Sequence, residues 1–170
     1  DRFRAPAPPA GAEPGGNHFV QPYTDNPLDN EAVGETVYLN LINKAQNYVY
    51  IMTPYLIVSD SVNTALCNAA KAGVDVRIIT PHVPDKRLVF ELTSAHYQPL
   101  LEAGVQIFEY TPGFVHAKNF AVDDRYGTVG SINLDYRSMF LHFEDGVWLC
   151  NDPTVFEIKA DFLATQARSQ

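Results

Sequence analysis

Residues 114–133 read FVHAKNFAVDDRYGTVGSIN, and the reading of this stretch decides how the chain is organised. Before it, helical and extended patterns alternate; after it, strands follow one another directly. On an extended strand, side chains at i and i+2 share a face, so His116 and Lys118 project together with Phe120 and Val122. Asp123 has the opposite parity, which assigns it to a turn or to a structural role. Gly130-Ser131-x-Asn133 ends the next strand. Glycine there admits a close approach to the backbone, while the Ser hydroxyl and Asn amide supply hydrogen-bond donors.

Working outward, HFVQPY reads as a short strand and NEAVGETVYLNLINKAQ as a helix. That helix carries Val33, Val37, Leu41 and, one turn later, Ala45 on one face. YVYIMTPYLI is a β-branched and aromatic strand that stops at Pro54. Ser59 or Asp60 caps a second helix with Val62, Leu66 and Ala70 on its apolar face, closed by Gly73. VDVRIIT is a strand, residues 85–104 a helix with Pro99 as a kink or break, and VQIFEY a further strand. His96 falls on the Leu92/Leu100 stripe of that helix, as a core histidine. Beyond residue 115, HAKNFAVD, YGTVGSI and HFEDGVWLC are consecutive strands, and TVFEIKADFLATQ is a closing helix. The pattern predicts one α/β domain, a mixed β-sheet with helices on both faces, parallel in its first half. Residues 1–17, rich in Pro, Gly and Ala, read as a linker or tail, and residues 18–170 as the domain.

The chain has 170 residues, a formal net charge of −8 and a hydrophobic share of 46%. This is enough apolar material for a core. The acidic balance, with no basic run longer than Lys86-Arg87, counts against a nucleic-acid partner, whose binding draws on phosphate neutralisation. Cys67 and Cys150 lack any paired spacing, so neither a metal site nor a disulfide framework is expected, and both read as small buried hydrophobes. No apolar run reaches the length of a membrane helix. The chain opens on Asp1 with no signal peptide and reads as a soluble piece of a longer protein.

Phosphodiester transfer requires a nucleophile that works near neutral pH, cations or donors on the phosphate oxygens, and an acid for the leaving alcohol. A neutral His can attack, a Lys ammonium can hold the negative charge, and an Asn amide can donate a further bond. A histidine in that role needs a second group to fix its tautomer, and Glu144, within the otherwise apolar LHFEDG, is a candidate. Taken singly, each element has a bland reading: a solvated strand face, a turn, a structural ion pair. Their joint spacing is what singles them out.

His116-x-Lys118-x4-Asp123 followed by Gly130-Ser131-x-Asn133 resembles the HKD motif of the phospholipase D superfamily, with Glu144 where that family places the acid that orients the histidine. Beyond the motif, VQPYTDNPLDNE, YVYIMTPYLI, GVDVRIITPHVPDK, AGVQIFEYTPGFVHAK and NLDYRSMFLHFEDGVWL are similar to the C-terminal half of bacterial cardiolipin synthases. The resemblance covers about residues 19–165. It implies a phospholipase D-like fold and a two-step exchange through a phosphohistidine, in which the phosphatidyl group passes between two phosphatidylglycerol molecules without metal or other cofactor. On this resemblance His116 is the catalytic histidine, as nucleophile or as general acid. Lys118 and Asn133 bind phosphate with help from Ser131, Glu144 orients His116, and Asp123 completes the motif with a structural part. Tyr55 and Arg137 are second-line pocket candidates.

Active family members use two such motifs, and this chain has one. His18, His82, His96 and His142 have no Lys at +2; His142 shares strand parity with Glu144 and could line the site. The resemblance therefore implies a second HKD motif from another half of a parent chain, attached to the bacterial cytoplasmic membrane through segments outside this chain. One alternative is a homodimeric one-motif phosphodiesterase or nuclease; another is a lipid-binding scaffold with a vestigial site.

Overall fold

Strand β2 (Tyr48–Met52) is buried along its whole length, and its alternating side chains sort the molecule into two cores. Val49 and Ile51 join a cluster with Tyr38, Leu66, Ile78 and Leu100; Tyr48, Tyr50 and Met52 join another with Leu149, Ile158 and Phe162. A strand dry on both sides needs a helical layer on each face. The computed structural model, which describes residues 17–83, 93 and 96–170, has both layers.

Before β2 come β1 (Phe19–Asp25) and α1 (Val33–Lys44). After it follow β3 (Leu56–Ile57), α2 (Asp60–Lys71), β4 (Asp75–Pro81), α3 (Tyr97–Ala103) and β5 (Gln106–Tyr110). The chain continues through β6 (Asn119–Val122), β7 (Tyr126–Gly130), β8 (Leu134–Asp135), α4 (Tyr136–Phe140), β9 (Glu144–Cys150) and α5 (Thr154–Gln166). Seven strands form one sheet in the order β1-β9-β7-β6-β2-β4-β5. β2, β4 and β5 run parallel, and the other four are joined antiparallel. Helices α1, α2 and α3 cover one face and α5 the other, which is the expected mixed α/β/α architecture.

Local chemistry explains the element ends. Ser59 caps α2 by accepting the Val62 N–H at 3.3 Å, which decides between the two expected caps. The Asp123-Asp124 turn between β6 and β7 has φ of 53° and 54°, the left-handed region that Asp tolerates in tight hairpins. On α1 the buried stripe is Gly34, Tyr38, Leu41 and Ile42, whereas the expected Val33, Val37 and Ala45 lie at its flank, half-buried. The reason is tertiary. Asp25, buried at the end of β1, accepts the Gly34 N–H at 2.7 Å, and a Cβ at Gly34 would come within 2.8 Å of both Asp25 Oδ2 and Ile132 Cδ1. This contact fixes how far the helix is rotated about its axis.

Four other expectations change. β6 starts at Asn119, so His116 and Lys118 precede the strand instead of lying within it. Pro99 sits in the first turn of α3, where a missing N–H costs little, and His96 takes the N-cap position, half-buried. Cys150 is buried as expected, but Cys67 is only half-buried, its thiol 3.6 Å from the Pro99 carbonyl. Of the expected linker 1–17, residues 1–16 lie outside the described residues, as do 85–92, 94 and 95 of the expected helix 85–104.

Candidate functional site

The antiparallel register sets Gly130 of β7 opposite Gly146 of β9, and Gly146 opposite Tyr23 of β1. A Cβ on Gly130 would run into the Asp145 carbonyl oxygen and lie 2.7 Å from Gly146 Cα; one on Gly146 would lie 2.5 Å from the Tyr23 ring. With both positions bare, the chain leaving β7 closes against the start of β9. Ser131 donates its N–H to the Asp145 carbonyl at 2.9 Å, and its Oγ accepts the Asp145 N–H at 3.0 Å. The Ser131 hydroxyl hydrogen goes to Glu144 Oε2 in a very short contact.

Glu144 is nearly enclosed, its side chain 10% exposed, and its other oxygen, Oε1, lies 3.4 Å from Nδ1 of the exposed His142. Both carboxylate oxygens are thus engaged, and among the described residues no hydrogen bond joins Glu144 to His116. The His116 ring is exposed, with its centroid 5.9 Å from that of Phe114, while its carbonyl accepts the Lys118 ammonium at 2.7 Å. Burial pushes the Lys118 ammonium below the ordinary lysine pKa, and the carboxylates of Glu144 and Asp135 oppose that shift only in part.

Asn133 is hung between two supports. The Tyr38 hydroxyl of α1 donates to the Ile132 carbonyl at 2.6 Å, and the Leu134 N–H donates to Thr53 Oγ1 at 3.2 Å. The short β3–β8 pair, Leu56 opposite Leu134 and Ile57 opposite Asp135, extends this anchorage. Asn133 Nδ2 lies 2.9 Å from Ser138 Oγ, and Ser138 in turn gives its N–H to Asp135 Oδ1 at 2.7 Å. Asn133 Oδ1 is buried without a partner.

The structure therefore brings Lys118, Ser131, Asn133 and Glu144 to one end of the sheet, with His116 in the segment that leads into Lys118. Asp123 is not with them. It stands at the opposite end of β6, about 15 Å along the strand by its rise per residue. There it accepts the Gln46 N–H at 2.7 Å, the Asn47 N–H at 2.9 Å and the Tyr48 N–H at 2.8 Å. Tyr55 is half-buried beside β3, with its carbonyl accepting the Thr53 hydroxyl at 2.8 Å, and Arg137 is exposed on α4. Sequence reasoning missed Tyr38, Thr53, Asp135 and Ser138. The last pair did carry a signal, since Asp followed three residues on by the N–H it caps is an N-cap spacing.

A cleft of about 490 Å³ beside Ser131 and Glu144 is bordered by Thr24, Asp25, Phe143 and Asp145. Asp25, Glu144 and Asp145 make its rim acidic, and among the described residues no group of three or more His, Cys, Asp or Glu side chains could hold a metal ion. Among the same residues, no helix is long and apolar enough to cross a membrane. One ammonium, one amide and one hydroxyl seated on an enclosed carboxylate make a set of donors able to hold a single anionic oxygen group.

A mixed sheet with this order between two helical layers is a phospholipase D-like fold. It matches the crystal structure of Nuc from Salmonella typhimurium, a phospholipase D family member, with a TM-score of 0.76 at 19% identity, covering 90% of this chain and 97% of that one. Residues 38–165 match the family described as "Cardiolipin synthase, PLD-like domain", and the chain belongs to that family. A Streptococcus mutans protein, itself uncharacterized, is 51% identical over 154 residues, 91% of this chain and 33% of its own length. A cardiolipin synthase of Alkalihalophilus pseudofirmus is 36% identical over 148 residues, 87% of this chain and 29% of that protein. The chain thus spans about a third of the length of the curated relatives it matches.

Proposed function

We propose that this chain is the C-terminal catalytic half of a cardiolipin synthase. It moves a phosphatidyl group from one phosphatidylglycerol to the glycerol head of another. The observation that carries the reading is the convergence of Lys118, Ser131, Asn133 and Glu144 at one sheet end, within a family described for cardiolipin synthase. Lys118 and Asn133 hold the phosphate. His116 is one of two histidines in the reaction, either attacking phosphorus to form a phosphohistidine or protonating the leaving glycerol. Glu144 orients His116 once it releases one of its present partners, and Asp123 serves the motif from a distance by holding its turn. The second histidine comes from another HKD half of a parent chain or from a second copy. Residues 1–17 act as a linker ahead of the domain, and membrane attachment resides in segments outside this chain.

Labelled phosphatidylglycerol and a detergent quench at alkaline pH, where a phosphohistidine persists, test this on a full-length protein carrying the chain. An acid-labile phosphoryl group on His116, or loss of cardiolipin formation in His116→Ala, is expected. A His116→Ala protein that turns over normally would overturn the assignment. Cardiolipin made by residues 1–170 as a verified monomer would overturn the need for a second half.

A second reading, a homodimeric one-motif phosphodiesterase, is favoured by one fact: the Nuc chain is matched over 97% of its length, so a chain of this size is a whole fold there. Light scattering combined with a diesterase assay separates the two readings. The net charge of −8 weighs against nucleic acid as the substrate.

A further inference from the structure

Asn133 and Ser138 pose a problem of hydrogens. Ser138 is 1% exposed, and the contact recorded for its Oγ is Asn133 Nδ2 at 2.9 Å. If the amide donates there, Asn133 Oδ1 remains a buried acceptor with no partner, and the Ser138 hydroxyl hydrogen has no acceptor among the described residues either. Leaving buried polar groups unpaired is costly, and two in one contact is unusual. A half-turn of the amide exchanges its O and N without moving a heavy atom. Ser138 then donates to Asn133 Oδ1, which satisfies both groups at once, and the two amide hydrogens are left as the unpaired donors.

We infer that Ser138 is a positioning residue that turns the Asn133 amide so that its NH2 group is presented as a donor to an anionic oxygen. The inference rests on the phosphate-binding role proposed for Asn133. Ser138 is itself held by its N–H bond to Asp135 Oδ1 at 2.7 Å, at the capped start of α4. The segment bearing Asn133 is held by Tyr38 and Thr53. The amide therefore has a fixed backbone on one side and a fixed hydroxyl on the other, and the hydroxyl selects between its two orientations. The freed hydrogens occupy a buried place with no acceptor among the described residues, which leaves them for an oxygen brought by a ligand.

Nuclear magnetic resonance on the chain of residues 1–170 tests the orientation directly, without any variant. Weak or absent contact between the Asn133 side-chain amide protons and the Ser138 Hβ protons is expected; a strong contact would overturn the inference. Titration with inorganic phosphate tests the consequence. The Asn133 side-chain amide signal is expected to shift saturably, with affinity about fivefold weaker in Ser138→Ala and largely restored in Ser138→Thr. Backbone spectra verify that both variants fold. Phosphate that leaves the signals of His116, Lys118 and Asn133 all unmoved would overturn the functional reading and this inference with it. Phosphate bound equally well by Ser138→Ala would overturn the positioning role alone.

Discussion

The two ends of β6 carry the same sequence motif and obey opposite rules. At the Asp123 end the carboxylate is fully used: it gathers the N–H groups of Gln46, Asn47 and Tyr48, and ties the α1–β2 connection to the β6–β7 turn. At the Lys118 end the polar groups are crowded and incompletely matched. Lys118 is desolvated, the Asn133 side-chain amide is matched only on its Ser138 side, and Glu144 is shared between Ser131 and His142 while the His116 ring stays exposed. A segment of eight residues, His116 to Asp123, thus divides into a reactive end and a fastening end. Residues named together in a motif need not act together, because a strand separates its ends by its length.

The sharpest way to break this contrast is to exchange the effects. Lys118→Ala should lower phosphatidyl transfer by a full-length protein about 10²-fold or more, as expected when a charge-stabilising donor is lost, with melting temperature nearly unchanged. Asp123→Ala should do the reverse. Each N–H bond to a carboxylate contributes about 1.5–3 kcal/mol at most, and partial access to water reduces the sum, so a loss of about 2–4 kcal/mol is expected in urea unfolding. Activity per folded molecule should stay within about threefold, because no reacting group is touched. If Asp123→Ala folds normally but loses activity, the division of labour is wrong.

Smaller effects sharpen the picture. Gly130→Ala should cost about 1–3 kcal/mol, since its methyl would collide with the backbone of β9 and force the Ser131–Glu144 closure apart. The activity loss should exceed what the fall in folded fraction explains, which a stability-matched control would show. The smallest effect concerns pH. Lys118 has a folded pKa below its unfolded value of 10.5, so between the two the unfolded chain binds more protons and stability rises with pH. Lys118→Met should therefore raise the melting temperature slightly near pH 7, and this gain should fade as pH approaches the ordinary lysine range.

What was legible in the sequence was whatever depends on local period. The closing helix, TVFEIKADFLATQ, spans the same residues in the structure, and the switch from alternating elements to consecutive strands falls where the chain changes texture. What was not legible depends on partners far away. The buried face of α1 is chosen by Asp25 and Ile132, so a stripe drawn through Val33 and Val37 missed it. β3 and β8 are two residues each, too short to show any alternation, yet they help to seat Asn133. The candidate site was readable as a set of residue types at given spacings. Its wiring was not: that Ser131 holds Glu144, and that Ser138 faces Asn133, are facts of tertiary closure.

The strand order has a consequence for how the molecule is made. Among the described residues β1, near their start, pairs only with β9, whose last residue is Cys150. During synthesis β1 waits as an unpaired edge while nearly the whole sheet emerges from the ribosome. The arrival of residues 144–150 does two things in one step: it gives the first strand its partner and delivers Glu144 to Ser131. The nascent chain therefore carries no closed half-site until the sheet itself is complete.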